Sequence, residues 1–297
     1  MREFPFYWID AFTSKKLGGN PCAVVLNADS LNDIEMLSFA KEMNLSETAF
    51  VIKSSRADFG ARYFTPQEEL PFAGHPTIAT IHALLHAGLI QTADSKKQVS
   101  LELPAGIISV VVQQKHVGTS RIEMIQLAPQ FLKTYDPKVV LPIFGLTMND
   151  LLPGALIQTV STGSPILMIP LKNHDALRKA NYFNVDAYNE LKESGDFLWP
   201  HHFTLQGATE NGDTFARSLA FPTSTVEDPF TGSATGCMAS YLWKYNLISN
   251  PKFIAQQGHW MGRHGEAEVE VIGTAEAIEG VRVAGSAVTV ISGSLYL

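Results

Sequence analysis

The chain has 297 residues, 29 acidic and 22 basic, for a formal net charge of −7, with 45% hydrophobic and 17% charged content. That length suits two domains better than one core, and the composition excludes a disordered chain. An acidic chain with no basic run argues against nucleic acid as a partner, and no run of about 18 apolar residues is present to span a membrane.

The opening MREFPFYWIDAF carries an acid early and no long apolar run, so it does not read as a signal peptide. Phe6 to Ala11 predicts an aromatic-rich strand, Gly18-Gly19-Asn20-Pro21 a turn, and Cys22 to Leu26 a short buried strand. Ser30 is the expected N-cap of a helix in which Ile34, Leu37, Ala40 and Met43 recur at helical spacing. Thr48 to Ile52 and Tyr63-Phe64-Thr65 predict strands. Thr77 to Ala87 predicts a helix closed by Gly88. Ser100 to Leu103, Ile107 to Gln113 and Arg121 to Leu127 complete a strand-rich first half around a central helix.

The second half follows the same scheme. A short helix is expected within Tyr135 to Leu146, a strand at Ile166 to Ile169, a helix at Ala187 to Ser194 and a strand at Phe215 to Phe221. Ser233 to Tyr245 predicts a helix after a glycine turn. Ala267 to Ile272, Val281 to Ala284 and Val288 to Ile291 predict three strands. Residues 137–196 are the least interpretable stretch and a candidate for shaping a substrate pocket.

The two cysteines, Cys22 and Cys237, are far apart and lack CxxC spacing. This disfavours a disulfide framework or structural zinc and favours a reducing compartment. His201-His202 has no further ligand spacing, which disfavours a metal site. No dinucleotide or Walker fingerprint appears. Gly232-Ser233-Ala234-Thr235-Gly236 places its serine too early for a nucleophile elbow.

An internal repeat is the most informative feature. Thr65 to Leu84 lies over Thr223 to Leu242 at a constant offset of 158, with Thr, Glu, Pro, Phe, Gly and Thr coinciding at 65, 69, 71, 72, 74 and 77. One repeat of that length indicates two copies of a domain rather than a solenoid. Each copy opens a helix with a glycine turn, and two such helix starts could bind a carboxylate through free backbone N–H groups and the positive dipole end. Gly74 and Gly232 would let the ligand approach the backbone. Two ordinary, tightly packed helix N-termini are the alternative.

Four side chains could carry chemistry. Glu47 sits at a helix-to-strand junction among apolar neighbours, where partial desolvation suits a carboxyl to moving a proton near neutral pH; a surface glutamate is the alternative. His75 and Ser233 occupy matching repeat positions after the glycines. They could donate to a bound anion or enolate, or His75 could cap backbone. Asp228 could orient His75 or a substrate amine, or cap its turn. Read locally, Asn20-Pro21 and Cys22 are turn and core, and Gly258 to Arg263 could line a cleft.

At these residues the chain resembles the PhzF-like (phenazine biosynthesis) family, which has the diaminopimelate-epimerase fold. The resemblance rests on Ile9-Asp10-Ala11-Phe12 with Gly19-Asn20-Pro21, on Asn44-Leu45-Ser46-Glu47-Thr48 and on Phe72-Ala73-Gly74-His75-Pro76. It continues at Glu227-Asp228 with Thr231-Gly232-Ser233-Ala234, and at Gln257-Gly258 with Gly262-Arg263. It implies an α/β (α+β) fold of two pseudo-symmetric domains, each a mostly antiparallel sheet wrapped around a central helix. The expected domains are 1–117 plus about 285–297, and 118–284, with the boundary in His116-Val117-Gly118-Thr119.

The resemblance further implies a homodimer without cofactor, acting on a small carboxylate, and the cysteine usage adds the expectation of a cytoplasmic location. The family's type enzyme isomerises trans-2,3-dihydro-3-hydroxyanthranilate. Glu47 matches its acid/base, which moves a proton from C3 to C1, and His75, Asp228 and Ser233 match the groups that position substrate and stabilise charge. Gly74, Gly232, Asn20 and Thr231 are the expected substrate-binding residues. Racemases and epimerases of this fold place a cysteine before each glycine turn; Ala73 and Thr231 stand there, which disfavours two-base epimerisation. The expectation is therefore a proton-shuttling isomerase. An epimerase or lyase on a related carboxylate, or a non-catalytic small-molecule binder, are the alternatives.

Overall fold

The computed structural model describes residues 1–92, 96–116, 119–219 and 227–297. Its contacts separate two units, Met1–Ile125 with Ala284–Leu297, and Gln126–Val283. The boundary expected at 116–119 includes residues 117 and 118, which lie outside the described residues.

The first unit contains β1 (Glu3–Ala11), β2 (Asn20–Val25), α1 (Asp33–Met43), β3 (Thr48–Ile52), β4 (Phe59–Phe64), β5 (Glu69–Leu70), α2 (Gly74–His86), β6 (Lys97–Leu103), β7 (Gly106–His116) and most of β8 (Thr119–Gln126). The second contains β9 (Gln130–Tyr135), α3 (Pro137–Ile143), β10 (Ile157–Ser161), β11 (Pro165–Pro170), α4 (His174–Lys179), α5 (Val185–Glu193), β12 (Trp199–Thr204), β13 (Thr214–Arg217), α6 (Gly232–Lys244), β14 (Lys252–Gln257) and β15 (Gly265–Gly273). A last strand, β16 (Ile278–Tyr296), begins in the second unit and returns to the first, where Ala287 to Tyr296 pair with β1.

Strand order in the first unit is β1-β2-β3-β4-β6-β7-β8, and in the second β10-β11-β12-β13-β14-β15-β16, with β9 added beside β10. The pairing senses repeat. β2 is antiparallel to β1 and parallel to β3, β3 antiparallel to β4, β4 parallel to β6, and β6 antiparallel to β7. The same alternation runs from β10 to β15. The duplication thus extends through both units, well beyond the segment in which sequence identity survives.

Each unit wraps its sheet around one helix. α2 and α6 are both 13 residues long and begin 158 residues apart, at the two repeat glycines. Gly74 to Leu84 is buried without a break, and α6 is buried from Ala234 to Leu242. A helix buried all round needs small residues and internal homes for its hydroxyls. Thr77 donates to the Ala73 carbonyl at 2.7 Å and its repeat partner Thr235 to the Thr231 carbonyl at 2.9 Å. Outside the first sheet, α1 lays Met36 and Ala40 over Val25, Phe50 and Phe64. Outside the second, α3, α4 and α5 bury Leu141, Phe144, Leu177, Tyr188 and Leu191 with Ile169 and Leu171. Much of residues 137–196 therefore builds a second apolar layer.

Several expectations need correction. The N-cap of α1 is Asn32, not Ser30. Asn32 and Glu35 form a reciprocal capping box, whereas Ser30 ends a short 3-10 turn. Ile34 is 77% exposed, because the buried stripe of α1 runs through Met36 and Ala40. The strands expected at 281–284 and 288–291 are one strand of 19 residues. Gly285, between the two expected strands, marks a close approach: a Cβ there would lie 2.5 Å from the Phe12 ring. The strand expected to reach Phe221 ends at Arg217, and residues 220 and 221 lie outside the described residues.

Gly236, in the second turn of α6, meets Gln126. A Cβ there would stand 1.8 Å from Gln126 Oε1. Gln126 cannot swing aside freely, since it accepts from Thr162 at 2.6 Å and donates to the Gly232 carbonyl at 2.9 Å. Gly236→Ala is therefore expected to destabilise the protein by about 1–3 kcal/mol, read as a lowered denaturation midpoint.

Candidate active site

In the first unit, three residues far apart in sequence meet at the start of α2. Asp10 is buried and accepts a 2.6 Å hydrogen bond from the Leu17 N–H, pinning the loop between β1 and β2. Gly19 ends that loop at φ +53°, with the position of a Cβ 2.1 Å from the Ala11 carbonyl oxygen, so only glycine fits. The motif Ile9-Asp10-Ala11-Phe12 with Gly19-Asn20-Pro21 thus delivers Asn20 to the buried start of β2. Asn20 Nδ2 lies 3.2 Å from His75 Nδ1, and the Ser46 hydroxyl donates to Asn20 Oδ1 at 3.5 Å.

With Asn20 Nδ2 as donor, His75 Nδ1 accepts, and the ring carries its proton on Nε2. His75 Nε2 faces Glu47 Oε2 at 3.4 Å, longer than an ordinary hydrogen bond. Burial lowers the His75 pKa from 6.5 to about 3. The imidazole is thus neutral, a donor rather than a cation. Glu47 ends the turn between α1 and β3, its side chain 17% exposed. It is neither the surface glutamate of the local alternative nor wholly removed from solvent.

In the second unit, Asp228, Thr231, Gly232 and Ser233 form one turn into α6. The Thr231 hydroxyl makes a short hydrogen bond to Asp228 Oδ2, the turn-capping alternative for that carboxylate. Gln257 clamps the turn: it accepts from the Thr231 N–H at 3.2 Å and donates to the Asp228 carbonyl at 2.7 Å. Gly258, at φ +79°, allows the close pass of the next loop, since a Cβ would lie 2.5 Å from the Pro229 carbonyl oxygen. Behind the turn, the Asp228 N–H donates to the Ser218 carbonyl at 3.2 Å, and the Ser218 hydroxyl meets buried His201 Nδ1 at 2.8 Å. His201 therefore belongs to the scaffold of the turn.

The two turns share their architecture. Neither N-cap residue, Ala73 or Thr231, makes a side-chain capping bond, and an anion at either helix start would meet the positive dipole end. Gly74 and Gly232 each stand at the first helical position. The repeat glutamates are anchors: Glu69 takes two hydrogen bonds from Arg62, at 2.7 and 2.6 Å, and Glu227 pairs with Arg217. Ser46, Gln257, Arg62 and Arg217 received no role from sequence, because each acts through contacts remote along the chain. The motifs Asn44-Leu45-Ser46-Glu47-Thr48 and Gln257-Gly258 were the available signals for Ser46 and Gln257.

Register carries the comparison further. Ala23 pairs with Thr48 across β2 and β3, and Leu167 with Pro200 across β11 and β12. With Gly19-Asn20-Pro21 laid over Gly163-Ser164-Pro165, each at the start of its strand, Asn20 corresponds to Ser164 and Glu47 to Trp199. His75 corresponds to Ser233 by the repeat. The carboxyl has no counterpart in the second unit. Both cysteines are free and buried, and burial raises both thiols, Cys237 to about 11.

The family model described as phenazine biosynthesis-like protein (PhzC-PhzF) matches residues 9–293. The chain belongs to this family. It is 35% identical over 273 residues to the Bacillus subtilis protein described as uncharacterized isomerase YfhB, covering 91% of this chain and 92% of that one. A Bacillus anthracis phenazine biosynthesis protein of the PhzF family superposes with a TM-score of 0.88 at 31% identity, covering all of both chains. A hydroxyproline epimerase from Agrobacterium vitis, at 12% identity and a TM-score of 0.64 over 99% of this chain and 91% of that one, shares the fold. The PhzF-like chain is an enzyme of the isomerase class, with the pseudo-symmetric epimerase-like fold. No helix among its described residues is long and apolar enough to cross a membrane.

Proposed function

We propose that this PhzF-like enzyme moves a proton within a small cyclic or unsaturated amino- or hydroxy-carboxylate, like trans-2,3-dihydro-3-hydroxyanthranilate, with Glu47 as general acid/base and without a cofactor. The observation that carries the reading is the pairing of Glu47 with a neutral His75 at the start of α2. The Glu47 carboxylate takes a proton from a carbon activated by the substrate's unsaturation. The charge left on the substrate is met by His75 Nε2–H, and the Glu47 acid returns the proton to another carbon on the same face. Gly74 in the first unit, and Gly232 and Thr231 with Ser233 in the second, are the proposed substrate-binding and charge-stabilising positions, and Asn20 and Asp228 would keep their turns in shape.

A two-base epimerase is less well supported. Ala73 and Thr231 hold no exchangeable base before the helices, and the position matching Glu47 is Trp199. The family resemblance adds a homodimer, and two buried free thiols suit a cytoplasmic location. The test is incubation of purified protein with trans-2,3-dihydro-3-hydroxyanthranilate, followed by proton NMR. Rearrangement of the double bonds supports the reading. An unchanged spectrum would remove that substrate and direct the same assay to other small unsaturated carboxylates.

A further inference from the structure

Within the first unit, side chains from separate stretches of sequence form one polar line. Ser46 Oγ reaches Asn20 Oδ1 at 3.5 Å, Asn20 Nδ2 reaches His75 Nδ1 at 3.2 Å, and His75 Nε2 faces Glu47 Oε2 at 3.4 Å. Asn20 and His75 are both buried, so the ring nitrogens answer to these neighbours rather than to bulk water. A neutral imidazole has one nitrogen that donates and one that accepts, and the choice decides its chemistry. With the proton on Nε2, the ring offers a donor beside Glu47, where charge develops on the substrate. With the proton on Nδ1, it turns a lone pair on that charge instead.

While Glu47 is a carboxylate it favours the first form by itself, since a lone pair facing it at 3.4 Å would be repelled. An acid/base, however, is protonated for part of its cycle, and a carboxylic acid can donate as well as accept. It then gives the ring no preference, at the stage when the charge rests on the substrate. His75 Nε2 is buried and has no hydrogen-bond partner among the described residues to hold it from that side. Control has to come from Nδ1, where Asn20 stands. The loop that carries Asn20 leaves it little freedom, because Asp10 pins Leu17 N–H at 2.6 Å and Gly19 passes tightly over the Ala11 carbonyl. The Ser46 hydroxyl, donating to Oδ1, orients the amide with Nδ2 toward the ring.

We infer that Asn20 is a positioning residue, whose amide holds His75 with its proton on Nε2 whatever the charge on Glu47, so that the donor persists while the carboxyl carries the substrate's proton. The inference rests on the proposed isomerase reading for its part in turnover, whereas the tautomer is a property of the free protein. It gives Asn20 a task beyond shaping its loop: the amide acts on the reaction through the ring it orders.

The test is nitrogen-15 NMR of the imidazole rings in the free protein, which separates a protonated ring nitrogen from a bare one; the His75 signals are those lost in His75→Asn. Wild type and Glu47→Gln, which imitates the protonated carboxyl, are both expected to carry the proton on Nε2. Adding Asn20→Leu to Glu47→Gln should cut that preference about tenfold, the net worth of one hydrogen bond. Adding Asn20→Asp instead, closer to the native side chain in shape, should move the proton to Nδ1. With trans-2,3-dihydro-3-hydroxyanthranilate, Asn20→Leu alone should lower kcat about tenfold and leave KM within a few-fold. The inference is overturned if Glu47→Gln alone puts the proton on Nδ1, if both Asn20 variants keep the wild-type signals, or if Asn20→Leu leaves kcat unchanged. No turnover by wild type together with the expected ring signals would remove the isomerase reading and leave the hold of Asn20 on the ring standing. Unchanged circular dichroism of each variant guards against a folding artefact.

Discussion

Glu47→Gln is expected to lower turnover by about 10²–10⁴-fold and to leave substrate affinity within a few-fold of wild type. The amide nearly preserves the shape and the contact with His75, which stands 3.4 Å away, but it cannot accept and return a proton. The split distinguishes the reading from a binding role, in which affinity and not turnover would change. Because His75 keeps its Asn20 partner at 3.2 Å, the neighbourhood should stay folded. His75→Asn should behave differently: it retains a donor, so activity should fall less than in Glu47→Gln. Initial rates and calorimetry on the three proteins settle both points.

The protein is also expected to unfold steeply in acid. His75, His82, His201 and His202 are buried, and burial is the main cause that lowers each pKa below 6.5: to about 3 for His75 and His201, to about 4 for His82, and well down for His202. The unfolded chain binds protons on these rings below about pH 6.5, whereas the folded chain refuses them until much lower pH. Their contribution is therefore intact above pH 6.5 and is lost as pH falls toward 3–4. Each ring adds a slope of about 1.4 kcal/mol per pH unit within its window, against a total stability of about 5–15 kcal/mol for a typical domain.

Cooperative unfolding between about pH 4 and 5.5 follows, with uptake of about three to four protons near pH 5. His202 has the least compensation, since neither ring nitrogen has a hydrogen-bond partner. His202→Leu should move the midpoint to lower pH. Calorimetry in buffers of different ionisation enthalpy measures the uptake, and an uptake below one proton would contradict the account.

The fold was legible where local chemistry and tertiary structure agree. Thr48 to Ile52 is a strand to the residue, and the Gly74 and Gly232 turns open helices at the repeat offset. It was illegible where long-range packing decides. β12 carries His201 and His202, poor local indicators of a strand, and both are fully buried because Ser218 and Phe144 receive them. Ser30 and Asn32 are both capping residues, and only the reciprocal bond of Glu35 selects Asn32. Glu47, His75, Asp228 and Ser233 were singled out as candidates through motifs, and Gln257 stood in a motif without a role, but the anchors Arg62 and Arg217 depend on contacts no local pattern encodes. The correspondence of Glu47 with Trp199 needed strand register, because no residue identity marks it.

The most direct test of a single carboxyl working on one face is deuterium incorporation during turnover in D₂O, with the labelled face read by NMR. The account predicts label delivered to the face from which the proton left, partial carry-over of the original proton, and no incorporation by Glu47→Gln. Label on the opposite face, or exchange that persists in Glu47→Gln, would contradict it.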